Sequence, residues 1–118
     1  MTIFVVEDSS LMRKHLRELV SELPNATIVG EADCSADAIT SIDALHPDVV
    51  ILDIKLKEGS GFDVLNTIKK KSAGPLVIVL TNHVQRPYRE TSILKGADFF
   101  LEKARDFQKV GDILRERL

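Results

Sequence analysis

In this chain of 118 residues, three carboxylates, a hydroxyl and an ammonium stand directly after short apolar runs. Glu7 and Asp8 follow Thr2–Val6, Asp53 ends the run Val49-Val50-Ile51-Leu52, Thr81 and Asn82 follow Leu76–Leu80, and Lys103 lies just past Phe99-Phe100-Leu101. The run VVIL, with three β-branched residues, suits a strand buried on both faces, where an unpaired charge is costly. Asp53 therefore needs a partner. Packed acids repel one another, and each has its pKa raised unless a cation neutralises the set. An all-oxygen cluster with no His or Cys close by suits a hard divalent ion, Mg²⁺ above all. Such an ion takes one or two carboxylates, keeps waters and completes its shell with phosphate oxygens. A carboxylate facing it can act as a nucleophile toward phosphorus and form an aspartyl phosphate. The ion and a nearby lysine then stabilise charge on the transferred group.

The elements that position these residues are legible as an alternation of apolar runs and amphipathic stretches. Strands are expected at Thr2–Val6, Ala26–Ala32, Asp48–Leu52, Leu76–Leu80 and Asp98–Leu101. A first helix, capped at Asp8 and Ser9, runs to about Leu23, with Leu11, Leu16, Leu19, Val20 and Leu23 on one stripe. A second, capped by Ser35, places Ala38, Ile39, Ile42 and Leu45 inward and ends before Pro47. Gly59-Ser60-Gly61 precedes a third helix with Phe62, Leu65 and Ile68, and Pro87–Lys95 forms a fourth that stops at Gly96. The last helix is expected over Asp106–Leu118, with Phe107, Val110, Ile113, Leu114 and Leu118 on its apolar face. Five strand–helix alternations predict one α/β domain over residues 1–118: a parallel sheet with helices on both faces and right-handed crossovers. In such a sheet ligands bind at the edge where the strands' carboxyl ends gather. Glu7, Asp8, Asp53, Thr81, Asn82 and Lys103 all belong to that edge.

Composition narrows the classes. Apolar residues make up 44% and charged residues 29% of the chain, as in folded globular proteins. A net charge of −2 carries no nucleic-acid footprint and no membrane-binding patch. Lys69-Lys70-Lys71 is read as a solvated face at a helix end, complementing its dipole. The start MTIFVVEDSS has no basic region before its apolar residues, so neither a signal peptide nor a membrane anchor is expected, and a cytoplasmic setting is. The single Cys34 excludes an internal disulfide and a multi-cysteine metal site, and reads as a small residue near a strand end.

The ordered set resembles the receiver domain of two-component response regulators along the whole chain. It rests on Glu7-Asp8, Asp53, Gly61, Thr81 and Phe100-Leu101-Glu102-Lys103 at these spacings. The resemblance implies a flavodoxin-like, doubly wound sheet of five parallel strands in the order 2-1-3-4-5. It implies that Asp53 accepts a phosphoryl group from a sensor histidine kinase or phosphotransfer protein. Asp8, Asp53 and the backbone carbonyl of Lys55 would hold Mg²⁺, with Glu7 acting through metal-bound water. Lys103 and Thr81 would hold the phosphate, and Phe100 would be an aromatic switch. Phosphorylation would then change the surface of the fourth helix, fifth strand and fifth helix, which carries Tyr88, Arg89, Lys95, Arg105, Asp106 and Lys109. That surface would meet a downstream protein or a second copy, with no direct nucleic-acid contact. The resemblance implies a switch, self-catalysing only its own phosphorylation and dephosphorylation.

Departures from the family pattern are specific. Ala104 follows Lys103 where many receivers have a proline in cis, so this peptide is expected trans with a shifted loop, or cis and strained. Lys57 replaces a common proline, predicting a looser loop, and Asn82 replaces a small residue beside the phosphate. With His83 and Lys55 at the mouth, these residues are candidates for tuning phosphate lifetime. The competing enzymatic reading is a small aspartyl-phosphate phosphohydrolase, but those enzymes carry a second Asp two positions after the nucleophile, where this chain has Lys55. A flavin-binding reading meets an acidic first loop, hostile to a phosphate.

Overall fold

The computed structural model describes residues 1–69 and 74–117. Lys70 and Lys71 of the basic cluster and Leu118 of the last apolar stripe lie outside them. Ten elements alternate: β1 (Thr2–Val6), α1 (Ser10–Ser21), β2 (Thr27–Ala32), α2 (Ser35–Leu45), β3 (Val49–Leu52), α3 (Gly61–Ile68), β4 (Leu76–Thr81), α4 (Arg86–Leu94), β5 (Phe99–Glu102) and α5 (Lys103–Arg115). All pairings are parallel and the strand order is β2-β1-β3-β4-β5. The three most continuously apolar runs are thus the three central strands.

Alternation along those strands divides the core in two. Ile3 and Val5 of β1, Val49 and Ile51 of β3, and Ile78 and Leu80 of β4 pack against α1 and α5, with Leu16, Leu19, Val20, Val110 and Leu114. The intervening Phe4, Val6, Val50, Leu52, Val77 and Val79 pack against α2 and α3, with Ala38, Ile42, Val64, Leu65 and Ile68. A strand whose neighbours both point into cores reads as unbroken apolar sequence, which explains TIFVV, VVIL and LVIVL. Each such Val, Leu or Ile contributes about 1.5–3 kcal/mol by burial.

Helix ends follow local chemistry. Ser9 caps α1, its Oγ accepting the Met12 N–H at 3.2 Å; Asp8 is not the cap. Ser60 caps α3 in a reciprocal box with Asp63. Gly96, at φ +102°, takes the left-handed conformation just beyond Lys95, the C-cap of α4.

Several expectations are corrected. Leu11 is 60% exposed: it lies five residues before Leu16, about 140° around the helix, and so falls off the stripe. Leu45, at the last position of α2, is also exposed, and Ser35 is the first residue of that helix, with Cys34 at the cap position. Lys69 is not simply solvated, because its Nζ holds the Pro75 carbonyl at 2.9 Å and the Asp98 carboxylate at 3.0 Å. The last helix begins at Lys103, three residues earlier than predicted, since Ala104 permits helix and the Asp106 carboxylate reaches back to the Glu102 N–H at 3.0 Å.

Candidate functional site

Main-chain pairing continues one residue past the strands and pins both buried acids. The Glu7 N–H donates to the Ala32 carbonyl at 2.9 Å, and the Asp53 N–H to the Val6 carbonyl at 3.0 Å. Since Val6 pairs with Leu52, Glu7 and Asp53 come out side by side at the carboxyl edge of β1 and β3. Glu7 is 2% and Asp53 5% exposed, whereas Asp8 faces solvent. Carboxylate oxygens of all three lie within 4.8 Å of one another.

Lys103 balances the buried pair. Its Nζ lies 2.6 Å from Glu7 Oε1 and 2.6 Å from Asp53 Oδ2. The second oxygens are also satisfied, Glu7 Oε2 by the Ser9 N–H at 3.1 Å and Asp53 Oδ1 by the Ile54 N–H at 2.7 Å. Burial pushes the Glu7 carboxyl upward, and the nearby Asp53 charge adds to it, while Lys103 and the Ser9 N–H pull the other way without cancelling the rise. For Lys103, burial works against the ammonium, but the hydrogen bonds and charges of Asp53 and Glu7 outweigh it and raise its pKa.

The Lys103–Ala104 peptide is trans. The inward lysine does not depend on a cis bond here, because α5 starts at Lys103 itself and aims the side chain from its first turn. The loop from Asp53 to Gly61 is also tied more closely than the missing proline predicts. Lys55 bridges to Ser60, Cys34 to Glu58, and the Gly61 N–H donates to the Ile54 carbonyl at 2.7 Å. A Cβ at Gly61 would lie 2.2 Å from the Asp53 carbonyl oxygen, so only glycine lets α3 approach this closely. Lys57 is exposed, 3.9 Å from the Asp33 carboxylate.

Thr81 is fully buried at the end of β4, and its Oγ1 accepts the His83 N–H at 3.1 Å. Asn82 is exposed, and His83 is half-buried with its ring 5.7 Å from that of Tyr88. Phe100 is half-buried on the α2–α3 side of the sheet, with the Arg89 guanidinium 5.4 Å above its ring. On the expected output surface, Asp106 is not a free charge. It is buried and ion-paired to Arg105 and Lys109 at 3.2 Å each, and hydrogen bonds from Glu102 and Arg105 hold its carboxyl far below the usual range.

Sequence reading missed two kinds of contact. Arg13 donates to the Glu7 carbonyl at 2.8 Å, a link between the first loop and α1 that carries no motif. Tyr88 meets Lys55, His83 and Phe62, with the Lys55 Nζ 5.8 Å from its ring centre. The signal for that cluster was faint: Tyr88 is the sole tyrosine of the chain and lies early in α4.

A doubly wound parallel sheet with an acid–lysine cluster at its carboxyl edge defines a class of α/β domains whose ligand site lies at the topological switch point. Within that class, the family profile of the response regulator receiver domain matches residues 3–115, and the chain belongs to that family. The chain is 36% identical over 83 residues to the sensory transduction protein LytT of Bacillus cereus, covering 70% of this chain and 34% of that one. It is 30% identical to the nitrate/nitrite response regulator protein NarL of Escherichia coli, covering 86% and 47% respectively. It therefore spans less than half the length of these two relatives. Among solved structures it resembles a LuxR-family DNA-binding response regulator from Staphylococcus aureus, with TM-score 0.89, 26% identity and coverage of 98% and 96%. It also resembles the response regulator domain of Thermotoga maritima CheB, with TM-score 0.85, 27% identity and coverage of 99% and 92%. The chain is thus a receiver domain of the two-component type, a regulatory module. Among the described residues no helix is long and apolar enough to cross a membrane.

Proposed function

We propose that Asp53 accepts a phosphoryl group from a histidine kinase or phosphotransfer protein, and that the whole chain works as one receiver unit. One observation carries this reading: three clustered carboxylates, two of them buried, face a single lysine that bridges Glu7 and Asp53 at 2.6 Å. A structural ion pair needs one acid per base. The surplus of negative charge suits a divalent cation, and it is the bound cation that would draw an anionic phosphoryl group to the site.

The donors fit Mg²⁺. They are all oxygens, and Asp8 opens to solvent, where metal-bound waters would sit. Two ligands on Mg²⁺ lie at most about 4.2 Å apart, and the three carboxylates present oxygens within 4.8 Å of one another. Asp8, Asp53 and the Lys55 carbonyl would hold the ion directly, with Glu7 acting through water. When bound, Mg²⁺ offsets charge on the transferring group.

Asp53 supplies the attacking oxygen. A phosphorus–oxygen bond forms as the donor's phosphorus–nitrogen bond breaks, and the imidazole leaves with the electron pair of that bond. Lys103, already on Asp53 Oδ2, follows the developing charge onto the phosphoryl oxygens, and the Thr81 hydroxyl donates to one of them. The added charge of about −1.5 to −2 biases the α4–β5–α5 surface, including Phe100, toward a downstream partner or a second copy. The domain accelerates only its own phosphorylation and hydrolysis.

Incubation with a small phosphodonor and Mg²⁺, followed by intact-mass measurement, tests the assignment. Wild type gains one phosphoryl group and Asp53→Asn gains none; labelling that survives the substitution would overturn it.

A further inference from the structure

The aromatic cluster over the site's mouth joins the phosphoacceptor loop to α4. Tyr88, in the first turn of α4, receives the Lys55 ammonium at 5.8 Å from its ring centre, the His83 ring at 5.7 Å and the Phe62 ring, stacked, at 6.5 Å. Its neighbour Arg89 covers Phe100 at 5.4 Å. These contacts carry unusual weight because α4 has little other anchorage. Ser92 is its one buried residue, while Ile93 and Leu94 are 53% and 86% exposed. A helix with so little buried apolar surface belongs to the low-stability end of a fold.

We infer that Tyr88 is a positioning residue that parks the Lys55 ammonium beside the phosphoryl site, and that phosphorylation draws this ammonium off the ring and releases the first turn of α4. The inference rests on the reading of Asp53 as phosphoryl acceptor. Lys55 is two residues from Asp53, at most about 7 Å along the chain, so its long side chain spans either direction. It is exposed, and among the described residues the contact seen for its ammonium is the Tyr88 ring, a weak attraction at such a site. A phosphoryl group bearing up to about two negative charges outcompetes a neutral ring for the same ammonium. Once Lys55 leaves, Tyr88 keeps its ring contacts with His83 and Phe62 and its packing on the α2–α3 core, but the first turn of α4 loses its cationic link to the loop after Asp53. The relay runs from Asp53 through Lys55 and Tyr88, beside the path from Thr81 to Phe100.

The chain has one tyrosine and no tryptophan, so intrinsic fluorescence reports Tyr88 alone. The experiment follows this emission during phosphorylation by a small phosphodonor with Mg²⁺, with phosphoryl content measured by intact mass in the same samples. Wild-type emission changes in proportion to the phosphorylated fraction. Per phosphoryl group taken up, as measured by mass, Lys55→Met, which keeps the backbone carbonyl, loses most of that change. Amide exchange of Arg86–Glu90 supplies a second readout. It quickens on phosphorylation of wild type and of Tyr88→Phe, which keeps an aromatic face, and is already quick in unphosphorylated Tyr88→Leu. A phosphorylated Lys55→Met with the full wild-type change, or a phosphorylated wild type with none, overturns the relay while leaving Asp53 in place. A wild type that takes up no phosphoryl group overturns the reading of Asp53, and the relay with it.

Discussion

Lys103 Nζ sits 2.6 Å from Glu7 Oε1, with side chains only 10% and 3% exposed, and the same ammonium lies equally close to Asp53. One cation therefore holds two buried anions that share an edge of the sheet. Its removal leaves both uncompensated in a site sealed from water on most sides.

Lys103→Met should destabilise the domain by about 3–5 kcal/mol, the usual cost of stranding a buried charge. Urea unfolding in the absence of divalent ions measures it, and added Mg²⁺ should narrow the gap to wild type. A loss below about 1 kcal/mol would show that the acids shed their charge or reach solvent without Lys103.

The pH dependence follows from the directions of the shifts. Lys103 has a raised pKa in the fold, so its contribution is fully present below the ordinary value of 10.5 and disappears as pH rises through the folded value. Glu7 is raised too, so the folded state holds extra proton there, and stability falls as pH climbs from the ordinary 4.5 toward the folded value. Asp106 is depressed, so its contribution is present above 3.8 and vanishes as pH drops toward the folded value. Urea midpoints across pH should show a flatter alkaline limb in Lys103→Met and a flatter acid limb in Asp106→Asn.

Gly61→Ala should be costly despite the small size of the change. The new methyl group meets the Asp53 carbonyl oxygen at 2.2 Å, a backbone atom without rotamers to yield. Overpacking of this kind costs about 1–3 kcal/mol, visible as a lower urea midpoint. Slower phosphorylation should accompany it, because the displaced carbonyl belongs to Asp53, the proposed acceptor.

Thr81→Val keeps the shape of a fully buried side chain but removes the hydroxyl that accepts the His83 N–H. Labelling of Asp53 should persist, with a loss of about 0.5–1.5 kcal/mol in stability and a weaker response of the α4–β5–α5 surface by amide exchange. Unchanged exchange behaviour would remove Thr81 from the switch.

Asn82 is exposed and follows Thr81 directly at the carboxyl edge, so it is a candidate to control access of water to a phosphoryl group on Asp53. Asn82→Ala should shed phosphate several-fold faster in a single-turnover hydrolysis time course; equal rates would exclude it from control of phosphate lifetime.

The β-branched runs made the central strands legible, because a strand buried on both faces leaves no room for polar residues. Asp53 was legible for the same reason, as a charge where none belongs without a partner. Leu11 misled because stripe membership depends on angle, and one apolar residue at a helix start fits several spacings. The start of α5 was hidden because Asp106 caps from inside the helix, three residues later than its first residue. The Lys55–Tyr88 and Arg89–Phe100 contacts were hidden because they join segments brought together only by the packing of α4. No local pattern encodes that approach.

That α5 opens on Lys103 gives the site a mechanical property. There is no slack between the lysine that grips Asp53 and a rod of 13 residues, about 20 Å long, ending at Arg115. A tilt of about 5° at the gripping end would sweep the far end through nearly 2 Å, by the length of the rod alone. The site thus holds the short arm of a lever, and the reach of its signal is set by how far that helix extends.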